Sequence, residues 1–195
     1  MIEMSAVVAA HHLVNFPDWP TGPYSDGDVV LSGRMSREDV GTALASIAQY
    51  NNHQQVEQDG PSMLRVLLEA EKIIMSGGLL VRDTRTGVVI EPGCCQGIED
   101  WRDWCGVLDG VHPWLGHSPD PKIEFGDGVV RVWPDDGKTD GPACEVPLAE
   151  LPVHLAVVRQ DLLGFLDLVR GQAPYGMGEE LAERLDEHFR ISAPL

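Results

Sequence analysis

Positive charge is what this sequence has least of. Three lysines (Lys72, Lys122, Lys138) and eleven arginines face 31 acidic residues, which leaves a net charge of −17. The imbalance runs along the chain and is steepest from Glu91 to Glu145, where 12 acids stand against 4 bases. Such a field repels a duplex phosphate backbone, which argues against nucleic acid as a partner and for a basic protein surface. Long apolar runs are missing as well, so no segment reads as a bilayer span and no membrane partner is expected. The opening MIEMSAVVAAHHLV has no basic leader, carries Glu3, and breaks at His11-His12, where a strand end or a half-buried pair is expected; it does not read as a secretory signal. A cytoplasmic location follows as the expectation, with the four cysteines as reduced thiols and no disulfide across the adjacent Cys94-Cys95.

Several motifs are also absent: G-x-G-x-x-G, G-x-x-x-x-G-K-[ST], G-x-S-x-G and H-E-x-x-H. Nucleotide-dependent and common metalloprotease chemistries lose their usual support, and no cofactor is called for. SDGD at Ser25–Asp28 lacks the twelve-residue loop and closing glutamate of a calcium site.

What remains is an ordinary apolar content of 43% over 195 residues, enough for one core and one domain spanning 1–195. Residues 1–35 read as a loop-rich N-terminal segment with a short β-prone run at DVVLSG. Ser36 suits a helix N-cap, and Val40, Ala43, Leu44 and Ile47 form the buried stripe of that helix. A second helix follows Pro61, carries Met63, Val66, Leu67, Ala70 and Ile73 on one face, and should stop at Ser76-Gly77-Gly78. GLLVRDTRTGVVIEP and KIEFGDGVVRVWP read as β-hairpins, followed by a short strand around Glu145-Val146. Two C-terminal helices follow, one striped by Leu155, Val158, Leu162, Phe165, Leu166 and Val169, the other by Leu181, Leu185 and Phe189. The expected class is α+β: two hairpins in a small antiparallel sheet packed against about five helices.

The segment Pro92–Asp109, PGCCQGIEDWRDWCGVLD, holds three of the four cysteines and two of the five tryptophans. As an α-helix from Ile98 to Leu108 it places Ile98, Trp101, Cys105 and Leu108 on one face, flanked by Trp104 and Val107. Glu99, Asp100, Arg102 and Asp103 then face solvent, and packing explains most of the motif. Three chemical readings stand beside that one. Cys94 or Cys95, just before a helix N-terminus, would be a nucleophile with His112 or His117 as base, although three nearby acids oppose a thiolate. Zinc would draw on Cys94, Cys95, Cys105, His112, His117 and Cys144; His112 and His117 have a ligand-like spacing, but no C-x₂-C exists and adjacent cysteines rarely ligate one ion together. Carboxylate catalysis would use Glu99, Asp100 and Asp103 with His117 as partner.

GCCQGIEDWRDW, HPWLGHSPDP and VVRVWPDD resemble an actinobacterial protein family with a GCC-x-G-[IL]-E-D-W-R-[DE]-W core, over about Ser36 to Ile191. That resemblance implies no activity and transfers no catalytic residue. In size, charge and organisation the chain is also similar to the small acidic immunity proteins of bacterial polymorphic toxin systems, many of which are α+β. The leading expectation is thus a non-enzymatic, immunity-like protein-binding domain with a basic partner. The alternative is a small hydrolase or zinc-dependent enzyme centred on Cys94-Cys95 and His112/His117. A homodimer through the long C-terminal apolar stripe is a third reading.

Overall fold

Residues Ile2–Ala10 form an interior strand of the main sheet rather than part of a loop-rich segment. The computed structural model of the protein describes residues 1–10, 20–22, 27–53 and 59–195. The expected strand end at His11-His12 and the start of SDGD lie outside the described residues. β1 (Ile2–Ala10) pairs antiparallel with β2 (Gly27–Val30) on one side and β3 (Gly77–Asp83) on the other, and β4 (Val89–Ile90) extends the order to β2-β1-β3-β4. Ala6 to Ala10 are all buried, so β1 is covered on both faces. A continuous run of small and branched apolar residues suits that position and masks the alternation that marks a half-exposed strand.

The two expected hairpins form, but the strands divide between two sheets. β5 (Lys122–Phe125), β6 (Val129–Trp133) and β7 (Cys144–Pro147) make the second one, also antiparallel. Cys144 on β7 is fully buried, its sulfur 3.6 Å from the Val88 carbonyl beside β4, so the sheets meet at this thiol.

Helix α1 (Arg37–Asn51) starts at Ser36 with a capping box: the serine Oγ accepts the Asp39 N–H, and the Asp39 carboxylate accepts the Ser36 N–H. Helix α2 (Gly60–Glu69) ends earlier than its apolar pattern predicts. The reason lies in α1. Asn51 donates to the Ile74 carbonyl at 2.7 Å and accepts the Ile74 N–H at 3.1 Å, so this backbone is satisfied outside a helix. Gly77 and Gly78 then open β3 instead of stopping α2. The long helix α3 (Leu151–Gln172) and α4 (Gly178–Phe189) bury the stripes expected of them. The C-terminal stripe is consumed by the chain's own core, which removes it as a dimer interface. No helix among the described residues is long and apolar enough to cross a membrane.

The helical segment between α2 and α3, Ile98–Asp109, is 3₁₀ rather than α. Its buried residues are Ile98, Trp101, Trp104 and Val107, a spacing of three, while Cys105 is half-buried and Leu108 is exposed. Three residues per turn stack i and i+3 directly above one another, so the buried face rotates away from the one an α-helix would present.

Candidate metal centre

Cys94 and Cys95 occupy the two central positions of a tight turn closed by the Gln96 N–H on the Gly93 carbonyl at 3.0 Å. Central turn residues point outward, and both thiols are exposed. The turn is fastened to the start of β3: the Gly77 N–H donates to Gln96, the Ile98 N–H to Met75, and the Ser76 hydroxyl to the Cys94 carbonyl. On its other side the Gly93 N–H donates to Leu115 at 2.7 Å and the Cys94 N–H to the His117 carbonyl at 2.8 Å. This pairing brings a histidine 23 residues away against the two cysteines.

The approach depends on glycine at two places. A Cβ on Gly93 would sit 2.3 Å from the His117 nitrogen and 2.5 Å from the Pro119 carbonyl oxygen. Gly116 has φ +81° and faces the Gly93 backbone so closely that a Cβ would lie 2.7 Å from its carbonyl oxygen.

The three side chains form a compact set. The sulfurs lie 3.7 Å apart, Cys94 Sγ is 3.5 Å from His117 Nδ1, and Cys95 Sγ is 3.2 Å from His117 Nε2. With one ligand atom from each residue, all lie within 4.8 Å of one another. Tetrahedral zinc with Zn–S of about 2.3 Å and Zn–N of about 2.0–2.1 Å needs sulfurs about 3.8 Å apart and sulfur–nitrogen separations of about 3.6 Å. The sulfur pair and the Cys94–Nδ1 separation match these values, whereas Cys95 lies nearest the other ring nitrogen and closer than they require. A hydrogen bond with Cys94, then desolvation, lifts the Cys95 thiol above the ordinary cysteine range. That runs against the expectation of a thiol at Cys95 activated by a helix N-terminus, since Gln96 and Gly97 intervene before a 3₁₀ turn. As a metal ligand Cys95 would have to give up its proton, at a cost that a bound cation would offset.

The other candidates fall elsewhere. His112 packs edge-on against Phe125 with ring centroids 4.8 Å apart and does not join the cluster. Neither do half-buried Cys105 and fully buried Cys144. Glu99 turns back to accept the Met75 N–H at 3.2 Å, and Asp103 is exposed; among the described residues no carboxylate belongs to the set. Burial raises the Glu99 carboxyl above its ordinary range, and desolvation followed by the Asp100 charge raises that of Asp103. Folding therefore favours protonated Glu99. Its contribution is complete below the unfolded glutamate pKa, about 4 to 5, and is lost as pH rises through the folded value. Glu99→Gln keeps an acceptor for Met75 and should flatten this loss, narrowing the stability gap to wild type at low pH and raising relative stability at neutral pH. Parallel urea curves for the two proteins across that range would contradict this account of Glu99.

Beside the cluster lies a cleft of about 510 Å³, lined by Tyr50, Ser76, Glu91, Pro92, Cys94 and Ser118 among others. Trp114, just over half exposed, stands edge-on to His117 at 6.4 Å. Trp114 and Ser76 are the site neighbours that sequence reasoning missed; only the glycine-histidine-serine-proline corner after Trp114 hinted at a turn there. A larger cleft of about 650 Å³, lined by Asn51, Arg65, Glu69, Lys72 and Ile74, includes none of the cluster residues. No family model, curated protein or solved structure matches this chain.

Proposed function

We propose that the protein binds a thiophilic divalent cation, zinc in the first instance, through Cys94, Cys95 and His117. The observation that carries this reading is the convergence of two thiols and an imidazole from segments 23 residues apart. Three protein ligands leave a fourth position for water or substrate, the pattern of catalytic rather than structural zinc. Cys94 also lines the neighbouring cleft. The class of activity that fits is metal-assisted hydrolysis, with a polarised carbonyl or an activated water at the ion.

Equilibrium dialysis of the reduced protein should give one zinc per chain. Cobalt in place of zinc should produce a sulfur-to-metal charge-transfer band. Cys94→Ser, Cys95→Ser and His117→Ala should each weaken binding by about a hundredfold or more, beyond the 10–100-fold typical of groups that only orient ligands. His112→Ala should leave binding unchanged. Substoichiometric zinc in reduced wild type, or equal loss in His112→Ala, would sink the proposal.

The second reading is a basic protein partner of the immunity kind, supported by the net charge of −17 and the 12-to-4 acid excess from Glu91 to Glu145. An acidic face raises the association rate with a basic partner and makes it sensitive to salt. Capture from the native host at low salt should return a basic protein whose association slows steeply with added salt. Binding indifferent to salt would remove the support for this reading.

A further inference from the structure

Two ligands of the centre are neighbours in the chain, both exposed, with sulfurs 3.7 Å apart. We propose that Cys94 and Cys95 form a redox-switched ligand pair: oxidation closes them to a vicinal disulfide and withdraws two of the three metal ligands, and reduction restores them. The proposal rests on the metal reading above.

The oxidant is a low-molecular-weight disulfide, R–S–S–R. Cys94 lines the cleft and meets it first. The Cys94 thiolate attacks one sulfur, the R–S–S–R bond breaks, and the departing thiolate takes up the proton that Cys94 lost. The protein now carries a mixed disulfide at Cys94. The Cys95 thiol passes its proton to the imidazole, whose Nε2 lies 3.2 Å from the sulfur, and attacks Cys94 Sγ. The second thiolate leaves and recovers that proton. Two protein thiols and one small disulfide become one protein disulfide and two small thiols, and two electrons pass from the protein sulfurs to the oxidant.

Chain geometry makes this bond a switch rather than a staple. Adjacent α-carbons across a trans peptide are about 3.8 Å apart, below the usual disulfide span of about 4.4–6.8 Å. The bond is therefore strained, and strained, exposed disulfides are the readily reduced ones. Cys105 and Cys144 lie outside the cluster and do not compete for Cys94.

The test treats the full chain, metal-free and zinc-loaded, with glutathione disulfide. It follows intact mass, mapped peptides and released zinc. The expected result is loss of two hydrogens confined to the Cys94-Cys95 peptide. Zinc affinity should fall by more than about a hundredfold and return with dithiothreitol. Cys95→Ser should trap one glutathionyl group on Cys94, while Cys105→Ser should behave as wild type. Stable glutathionylation of both cysteines, or a disulfide between two chains, overturns the proposal. The two readings fail differently: reduced protein that never binds zinc sinks the metal centre and the switch with it, whereas zinc retained after oxidation sinks the switch alone.

Discussion

Replacing Trp101 with alanine should cost about 3–5 kcal/mol of unfolding free energy, a large share of the 5–15 kcal/mol that holds a typical domain together. The side chain is fully buried, and its indole N–H donates to the Phe189 carbonyl at 2.9 Å, tying the 3₁₀ segment to the last residue of α4. Truncation leaves both a cavity and an unpaired carbonyl. Trp101→Phe refills most of the space but not the hydrogen bond, and should cost about 1–2 kcal/mol. Trp104→Ala should also be costly, through the cavity alone, because Trp104 is equally buried at the next stacked position but its indole N–H makes no hydrogen bond among the described residues. Leu108→Ala should stay within about 0.5 kcal/mol, since that side chain is 46% exposed. Urea unfolding of the four variants discriminates the two periodicities. An α-helical spacing makes Leu108 costly and Trp104 a flank. A larger loss at Leu108 than at Trp104 would refute the 3₁₀ register.

Gly93→Ala should have the second large effect, with a different signature. The new methyl would collide with the backbone of His117, Gly116 and Pro119, none of which can rotate aside as a side chain can. Overpacking of this kind costs about 1–3 kcal/mol and is relieved by parting the two segments. Parting them carries His117 away from the thiols, so zinc affinity should fall by about tenfold or more even in molecules that remain folded. A methyl on Gly171, near the end of α3, meets nothing within 4 Å. Gly171→Ala should therefore leave zinc binding unchanged and serves as the control. Calorimetric zinc titration alongside far-UV dichroism separates loss of the corner from loss of the fold. Wild-type affinity in Gly93→Ala would mean that close backbone approach does not position the histidine.

Both predictions concern features that the sequence only half reveals. Pro92–Asp109 is conspicuous for its cysteines and tryptophans, yet its burial depends on whether it turns every 3.6 residues or every three. The apolar residues fit either period until Trp101 meets α4. The chemistry is similarly divided. Cys94, Cys95 and His117 could be named as ligand types, but His112 had an equal claim by residue type and distance along the chain. Hydrogen bonds from Gly93 and Cys94 to Leu115 and His117 choose between them, while His112 turns to Phe125. Side-chain identity carries no trace of that backbone pairing; only the two glycines that permit it are visible.

Taken by itself, the sequence determined whatever is decided within about one helical turn or one hairpin. The Ser36 cap, the stripes of α3 and α4, both hairpins and the α+β class are of this kind, because capping, periodicity and turn chemistry are local interactions. Tertiary structure decided where distant segments satisfy one another. β1 became an interior strand because β2 and β3 pair along its two edges. α2 stopped at Glu69, with Asn51 holding the Ile74 backbone beyond it. Two exposed thiols and one of two candidate histidines became a three-residue cluster because a glycine corner lets two backbones approach closely. Those outcomes depend on hydrogen bonds and contacts between residues seventeen or more positions apart, which neither composition nor spacing encodes.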